Sequence, residues 1–205
     1  MPDKQPIFIT GIGTGVGKTI ISAIVTEKLK ADYWKPIQSG DLDNSDTLKV
    51  QSLVSNKTTR FYPEAYRLTQ PFSPHKSAAI DKIVMDIQSI IPPQTDNQLV
   101  IEGAGGLMVP LNDNELIIDL IKQLNAQVIL VSQNYLGSIN HTLLSLSMLK
   151  QYDIPVMGIV FNGDKDIYSK TFILNYSGAT ELGHVPSFDN INPKTIIEGS
   201  AYITL

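Results

Sequence analysis

Along the chain, short apolar runs bounded by turn residues alternate with longer stretches whose apolar residues recur at helical spacing. The short runs at 7–10, 33–36, 99–102, 127–132, 156–161 and 180–185 predict strands, with a further one around 65–68. Residues 19–30 carry Ile20, Ile21, Ile24, Val25 and Leu29, the stripe that a helix needs to lie on a sheet. Residues 116–124 and 139–152 read the same way. Strand and helix in turn predict an α/β fold, a doubly wound and mostly parallel sheet with helices on both faces. Polar, turn-forming stretches predict connectors at 40–45, 70–74 and 92–97, with 40–45 the expected mobile loop.

Composition narrows the function classes. A chain of 205 residues with a balanced share of apolar and charged side chains has the size of a single domain spanning 1–205. Sixteen basic against twenty acidic side chains leave a net charge of −4 and no cluster of Lys and Arg, which argues against nucleic acid and membrane surfaces as partners. No run approaches the roughly 20 apolar residues of a membrane span, and the start of the chain lacks the pattern of a signal peptide, so a cytoplasmic protein is expected. The absence of cysteine excludes disulfide and thiolate chemistry. His75, His141 and His184 are too scattered for a His-rich metal site, which leaves a hard cation held by carboxylates.

The chemistry begins at residues 10–19, Thr-Gly-Ile-Gly-Thr-Gly-Val-Gly-Lys-Thr, which follow the first predicted strand and open the first predicted helix. That context makes a glycine-rich string a phosphate loop. Backbone N–H groups between Gly13 and Gly17 converge on an anion, and the helix start adds its positive end. Lys18 supplies a point charge and the Thr19 hydroxyl a ligand for Mg²⁺. The string is a variant of the usual template, because Ile12 stands five residues before Gly17. The predicted architecture is therefore a single-domain P-loop NTPase fold that uses ATP.

In an open parallel sheet, ligands sit outside the C-terminal ends of the strands. Lys35 ends the second predicted strand, in Trp-Lys-Pro-Ile-Gln-Ser-Gly (34–40), as a second cation for transferred phosphate or as a plain surface lysine. Glu102 ends an apolar strand just before glycines, which suits a metal ligand but also a charge capping a buried strand. Asp46 is a metal candidate or an ordinary helix cap. Asn162 suits an adenine edge or a turn with Gly163, and the helix start at 137–140 suits a bound carboxylate or a simple cap. His75 reads as a turn residue.

Taken together, the phosphate loop, Trp-Lys-Pro-Ile-Gln-Ser-Gly, Asn-Ser-Asp (44–46), Phe-Ser-Pro-His (72–75), Val-Ile-Glu-Gly-Ala-Gly-Gly (100–106) and Leu-Gly-Ser-Ile-Asn-His (136–141) resemble the dethiobiotin synthetase family of the biotin pathway. The resemblance runs in order from the first strand to about residue 186. It implies a homodimer that joins 7,8-diaminononanoate (7,8-diaminopelargonate) with CO₂ and ATP, giving dethiobiotin, ADP and phosphate through a carbamate and a carbamic–phosphoric anhydride. It implies Lys35 and Lys18 as catalytic, and Thr19, Asp46 and Glu102 as the Mg²⁺ set. ATP contacts are implied at Gly13, Thr14, Gly15, Val16, Gly17, Lys18, Thr19, Ile20, Asp46, Glu102, Gly103, Ala104, Gly105, Asn162 and Gly163, with Pro186, Ser187 and Phe188 near the base. Substrate contacts are implied at Thr14, Lys35 and Ser39, and from the partner subunit's helix start at Gly137, Ser138 and Asn140, with Tyr168 also from the partner.

Two rival classes share such a loop. Dimerising switch ATPases of partitioning and positioning usually carry an additional lysine early in the loop, where this chain has Gly13. Glutamine-dependent synthetases usually need a cysteine nucleophile, which this chain lacks.

Overall fold

The computed structural model describes residues 4–205. The chain runs β1 (Ile7–Gly11), α1 (Lys18–Leu29), β2 (Asp32–Trp34), β3 (Ile37–Ser39), α2 (Asp46–Leu53), β4 (Phe61–Tyr62), β5 (Tyr66–Leu68), α3 (Pro74–Asp81), β6 (Leu99–Glu102), α4 (Ile117–Gln123), β7 (Gln127–Gln133), α5 (Ser138–Gln151), β8 (Val156–Asn162), α6 (Ile167–Ser177), β9 (Glu181–Val185) and α7 (Pro193–Gly199). Seven strands form one sheet in the order β4-β2-β6-β1-β7-β8-β9, and every pairing within it is parallel.

Strand alternation divides the core between the two faces. Ile7, Ile9, Tyr33, Val100, Ile129 and Val131 point to one side, where α1, α2 and α7 supply Ile21, Ile24, Val50 and Ile196. Phe8, Trp34, Leu99, Ile101 and Val128 point to the other, against Ile117, Ile118 and Ile121 of α4 and Leu149 of α5. The helices that follow the neighbouring strands β1 and β6 thus lie on opposite faces. Their chains diverge at the strand tips and open a crevice there, the place where such sheets bind ligands.

Three expectations change in detail. The predicted strand at 33–36 stops at Trp34, because Pro36 has no N–H to give a ladder; its carbonyl instead accepts from Tyr66 N–H at 3.0 Å. The chain then enters β3, which pairs with β5 in a separate parallel two-stranded sheet, so the run predicted around 65–68 lies outside the main sheet. The connector predicted at 70–74 ends a residue early, since Pro74 opens α3. Helices α3, α6 and α7 and the short strands β3 and β4 were not predicted. Among the described residues no helix is long and apolar enough to cross a membrane.

Candidate active site

Residues 12–17 leave β1 at the sheet centre and turn into α1. The turn needs glycine at Gly17, whose φ of +92° lies in the left-handed region and where a Cβ would strike the Asn162 side chain. No side chain caps the start of α1, so its first N–H groups stay available to an anion. Lys18 folds back over the loop, and its Nζ donates to Gly13 O at 2.9 Å. Burial lowers its pKa to about 8; Glu102 opposes that shift and Lys35 adds to it.

Five polar side chains, those of Thr19, Tyr33, Lys35, Asp46 and Glu102, meet beside the loop. Glu102, the last residue of β6 and paired in register with Ile9, is 1% exposed. Its Oε1 accepts from Thr19 Oγ1 at 2.8 Å and lies 3.3 Å from Lys35 Nζ. Its Oε2 accepts from Tyr33 OH at 2.8 Å. Lys35 follows β2 and is 3% exposed; its Nζ also lies 2.9 Å from Asp46 Oδ2. Burial works against the Lys35 charge, but Glu102 and Asp46 outweigh it and raise its pKa. Asp46 moves the opposite way, since burial is overcome by Lys35, Lys49 and the Thr19 hydroxyl.

Asp46 opens α2, whose N-cap Ser45 accepts from Leu48 N–H. The Gln38 side chain ties the approach to α2 by accepting from Asp46 N–H at 3.2 Å and donating to Gly40 O at 2.9 Å. Glu64 holds the same turn through Thr47 Oγ1 at 2.7 Å. These groups surround a cleft of about 620 Å³, whose walls include Thr14, Lys18, Lys35, Ser39, Glu102 and Gly105. Ser39 Oγ is buried there without a hydrogen-bond partner. Among the described residues no three His, Cys, Asp or Glu side chains converge into an all-protein metal cage. One hydroxyl and two carboxylates form the partial oxygen set that suits Mg²⁺, which commonly completes its shell with nucleotide phosphate and water.

Thr14, Gly15, Gly17, Lys18, Thr19, Ile20, Lys35, Ser39, Asp46, Glu102, Gly103, Ala104 and Gly105 all line this cleft. Gly13 borders a second hollow of about 340 Å³, which Thr14 shares and His141 and Met148 help to line. Val16 is buried beneath the loop, where its carbonyl accepts from Asn162 Nδ2 at 3.0 Å, so Asn162 is tied to the phosphate loop rather than to a turn. Gly163 pairs with Val185 O and with the His184 ring, beside Ser187. Phe188 packs on the α1 side of the core. Gly137, Ser138, Asn140 and Tyr168 lie outside the chain's own cleft, and His75 is an exposed residue bonded to Ser73.

Sequence reasoning missed Tyr33, Gln38 and the wall at 71–74. Tyr33 had a signal, since it stands two residues before Lys35 in a predicted strand and so shares its face. Gln38 and 72–75 lay within motifs read for resemblance alone, and Val109 of the cleft wall carried no signal.

Comparison with known proteins gives this geometry a lineage. An AAA domain family matches residues 5–195. The ATP-dependent dethiobiotin synthetase BioD of Christiangramia forsetii is 54% identical over 93% of both chains, and that of Cytophaga hutchinsonii is 46% identical over 92% of both. Among solved structures, the cell division ATPase MinD of Pyrococcus furiosus shares the fold at a TM-score of 0.62 and 12% identity, over 97% of this chain and 98% of its own. At that identity the likeness establishes a P-loop fold and nothing finer. The extent of the sequence match and the cleft built on its motifs agree: this chain is a member of the ATP-dependent dethiobiotin synthetase family.

Proposed function

We propose that the chain catalyses the ATP- and Mg²⁺-dependent closure of 7,8-diaminononanoate with CO₂ to dethiobiotin, releasing ADP and phosphate. One observation carries this reading beyond nucleotide binding. A second buried lysine, Lys35, shares one cleft with Lys18 and Thr19 of the phosphate loop, and the unpartnered Ser39 hydroxyl lies in the same wall. Hydrolysis of ATP alone gives no reason for that wall.

Thr19, Asp46 and Glu102 are the oxygen donors that would hold Mg²⁺, which when bound neutralises phosphate charge. The loop N–H groups and Lys18 hold the phosphates. One substrate amine adds to CO₂ and loses a proton, giving a carbamate. A carbamate oxygen attacks the γ-phosphorus as the bond to ADP breaks, forming the mixed anhydride. The second amine then attacks the carbamoyl carbon, loses a proton and expels phosphate, closing the cyclic urea. Lys35 stabilises the charge that develops on the transferred phosphoryl group, and Ser39 and Thr14 orient the amines.

Asn162, with Gly163 and Pro186–Phe188, receives the adenine. The substrate carboxylate rests on the start of α5 in a second copy of the chain, at the partner's Gly137, Ser138 and Asn140. A homodimer is supported by Leu136, Leu144, Phe172 and Tyr176, large apolar side chains left exposed on α5, α6 and the turn before α5. The cytoplasm is the compartment that fits these small-molecule substrates.

The test is product formation by the purified protein with ATP, Mg²⁺, bicarbonate and 7,8-diaminononanoate. Phosphate release that depends on the diamine and is matched by cyclic urea is expected. ATP hydrolysis indifferent to the diamine, with no urea, would favour a switch ATPase instead.

A further inference from the structure

We infer that Tyr33 is a positioning residue for Glu102, fixing which carboxylate oxygen faces the cleft. The inference rests on the reading of Glu102 as a metal ligand given above. Tyr33 is fully buried in β2, two residues before Lys35, and its ring packs on Phe61 with centroids 5.9 Å apart. Its register partner on β6 is Val100, so the phenol reaches along the sheet to the carboxylate at the tip of that strand.

The two oxygens of Glu102 have separate partners. Oε2 is taken by Tyr33 OH at 2.8 Å inside the core. Oε1 is left to the cleft side, where Thr19 Oγ1 lies at 2.8 Å and Lys35 Nζ at 3.3 Å. The terminal torsion of a glutamate is intrinsically broad, so a free carboxylate would rotate and exchange its oxygens. A buried donor on one oxygen removes that freedom and points the other at Thr19, the hydroxyl proposed for the same cation. Partners of this kind commonly set metal affinity without touching the metal.

Tyr33→Phe keeps the ring and its packing and deletes the donor alone. Manganese binding to the protein–ADP complex, followed by the electron paramagnetic resonance of free Mn²⁺, is compared for wild type, Tyr33→Phe, Glu102→Gln and the double variant. Binding of ADP in the presence of a chelator is measured alongside. Tyr33→Phe is expected to weaken Mn²⁺ about tenfold with metal-free ADP binding unchanged, and to add nothing once Glu102 is Gln. A purely structural tyrosine would lower the melting temperature and leave Mn²⁺ affinity at the wild-type value; that result, with Glu102→Gln impaired, overturns the inference and spares the metal reading. A Tyr33→Phe penalty that persists in the Glu102→Gln background overturns it as well. Wild-type Mn²⁺ binding by Glu102→Gln removes the metal reading, and the inference with it.

Discussion

Lys35 and Asp46 form an ion pair in the phosphate cleft, with Nζ 2.9 Å from Oδ2 and Lys35 only 3% exposed. The same ammonium lies 3.3 Å from Glu102, so one lysine charge sits between two carboxylates. Removing it leaves two negative groups facing each other in a poorly hydrated site, at a cost of roughly 3 kcal/mol in metal-free protein. Lys35→Ala is therefore expected to melt lower than wild type in chelator and to recover more of its melting temperature on adding Mg²⁺. Its turnover should fall by roughly 10²–10³-fold or more with ATP binding largely kept. Calorimetric binding of ATP and an assay of cyclic urea check both halves; wild-type synthetase activity would take Lys35 out of the mechanism.

Gly17→Ala tests the phosphate loop. The added methyl meets the Asn162 amide, and φ of +92° is costly for an alanine by about 1–2 kcal/mol. The expected variant folds but loses nucleotide binding, because the loop must shift to admit the methyl. Titration with a fluorescent ATP analogue decides the matter, and wild-type affinity would mean that the loop reaches its binding shape without this glycine.

Acid stability should report Asp32, at the end of β2 away from the cleft. Burial alone would raise its pKa, but donors on Thr95, the Arg60 N–H, Asn97 and Tyr62 outweigh that and hold it below the ordinary 3.8. A depressed folded pKa means that the stabilisation is complete above the unfolded value and is lost as pH falls through the folded one. Asp32→Asn should thus melt lower than wild type at neutral pH, with the gap closing below about pH 4. Thermal melts across pH 2–7 would show it, and a gap independent of pH would assign the effect to packing.

The loop at 40–45 is anchored at both ends, by Gly40 N–H on Leu68 O and by Ser45 as the cap of α2, with a short 3₁₀ turn between. Hydrogen exchange across 40–46 is expected to slow when a non-hydrolysable ATP analogue and the diamine are added together. Unchanged exchange would argue against closure over the ligands.

Six of the seven strands of the main sheet were legible because each is an apolar run between turn residues, whereas β4 is only two residues long. The phosphate loop was legible because strand, glycines and helix start are contiguous in sequence. Lys35 and Glu102 were legible as strand-tip charges. Tyr33 contacting Glu102 was not, since it joins residues 69 apart on different strands and nothing local marks the meeting. The end of the 33–36 run at Trp34 and the start of β3 at Ile37 in a different sheet depended on where the chain of β5 runs. Helix α3 was hidden by Pro74, which reads as a connector until it is seen at the first helical position, where its missing N–H costs nothing. Helix α6 carries scattered apolar residues because much of its surface stays exposed, so its periodic signal is faint.

The two-stranded sheet of β3 and β5 shares no ladder with the seven-stranded one. The cradle for phosphate is built on the large sheet, whereas Ile37, Gln38, Ser39 and the 71–74 wall are carried by the small sheet and its flanks. The enzyme is in this sense modular. Changes at Ser39 and at 71–73, which line the cleft from the small sheet's side, reshape one wall while leaving the Ile9–Glu102 register and the start of α1 that set Glu102 beside Thr19, so redesign for other diamines has a natural starting place there.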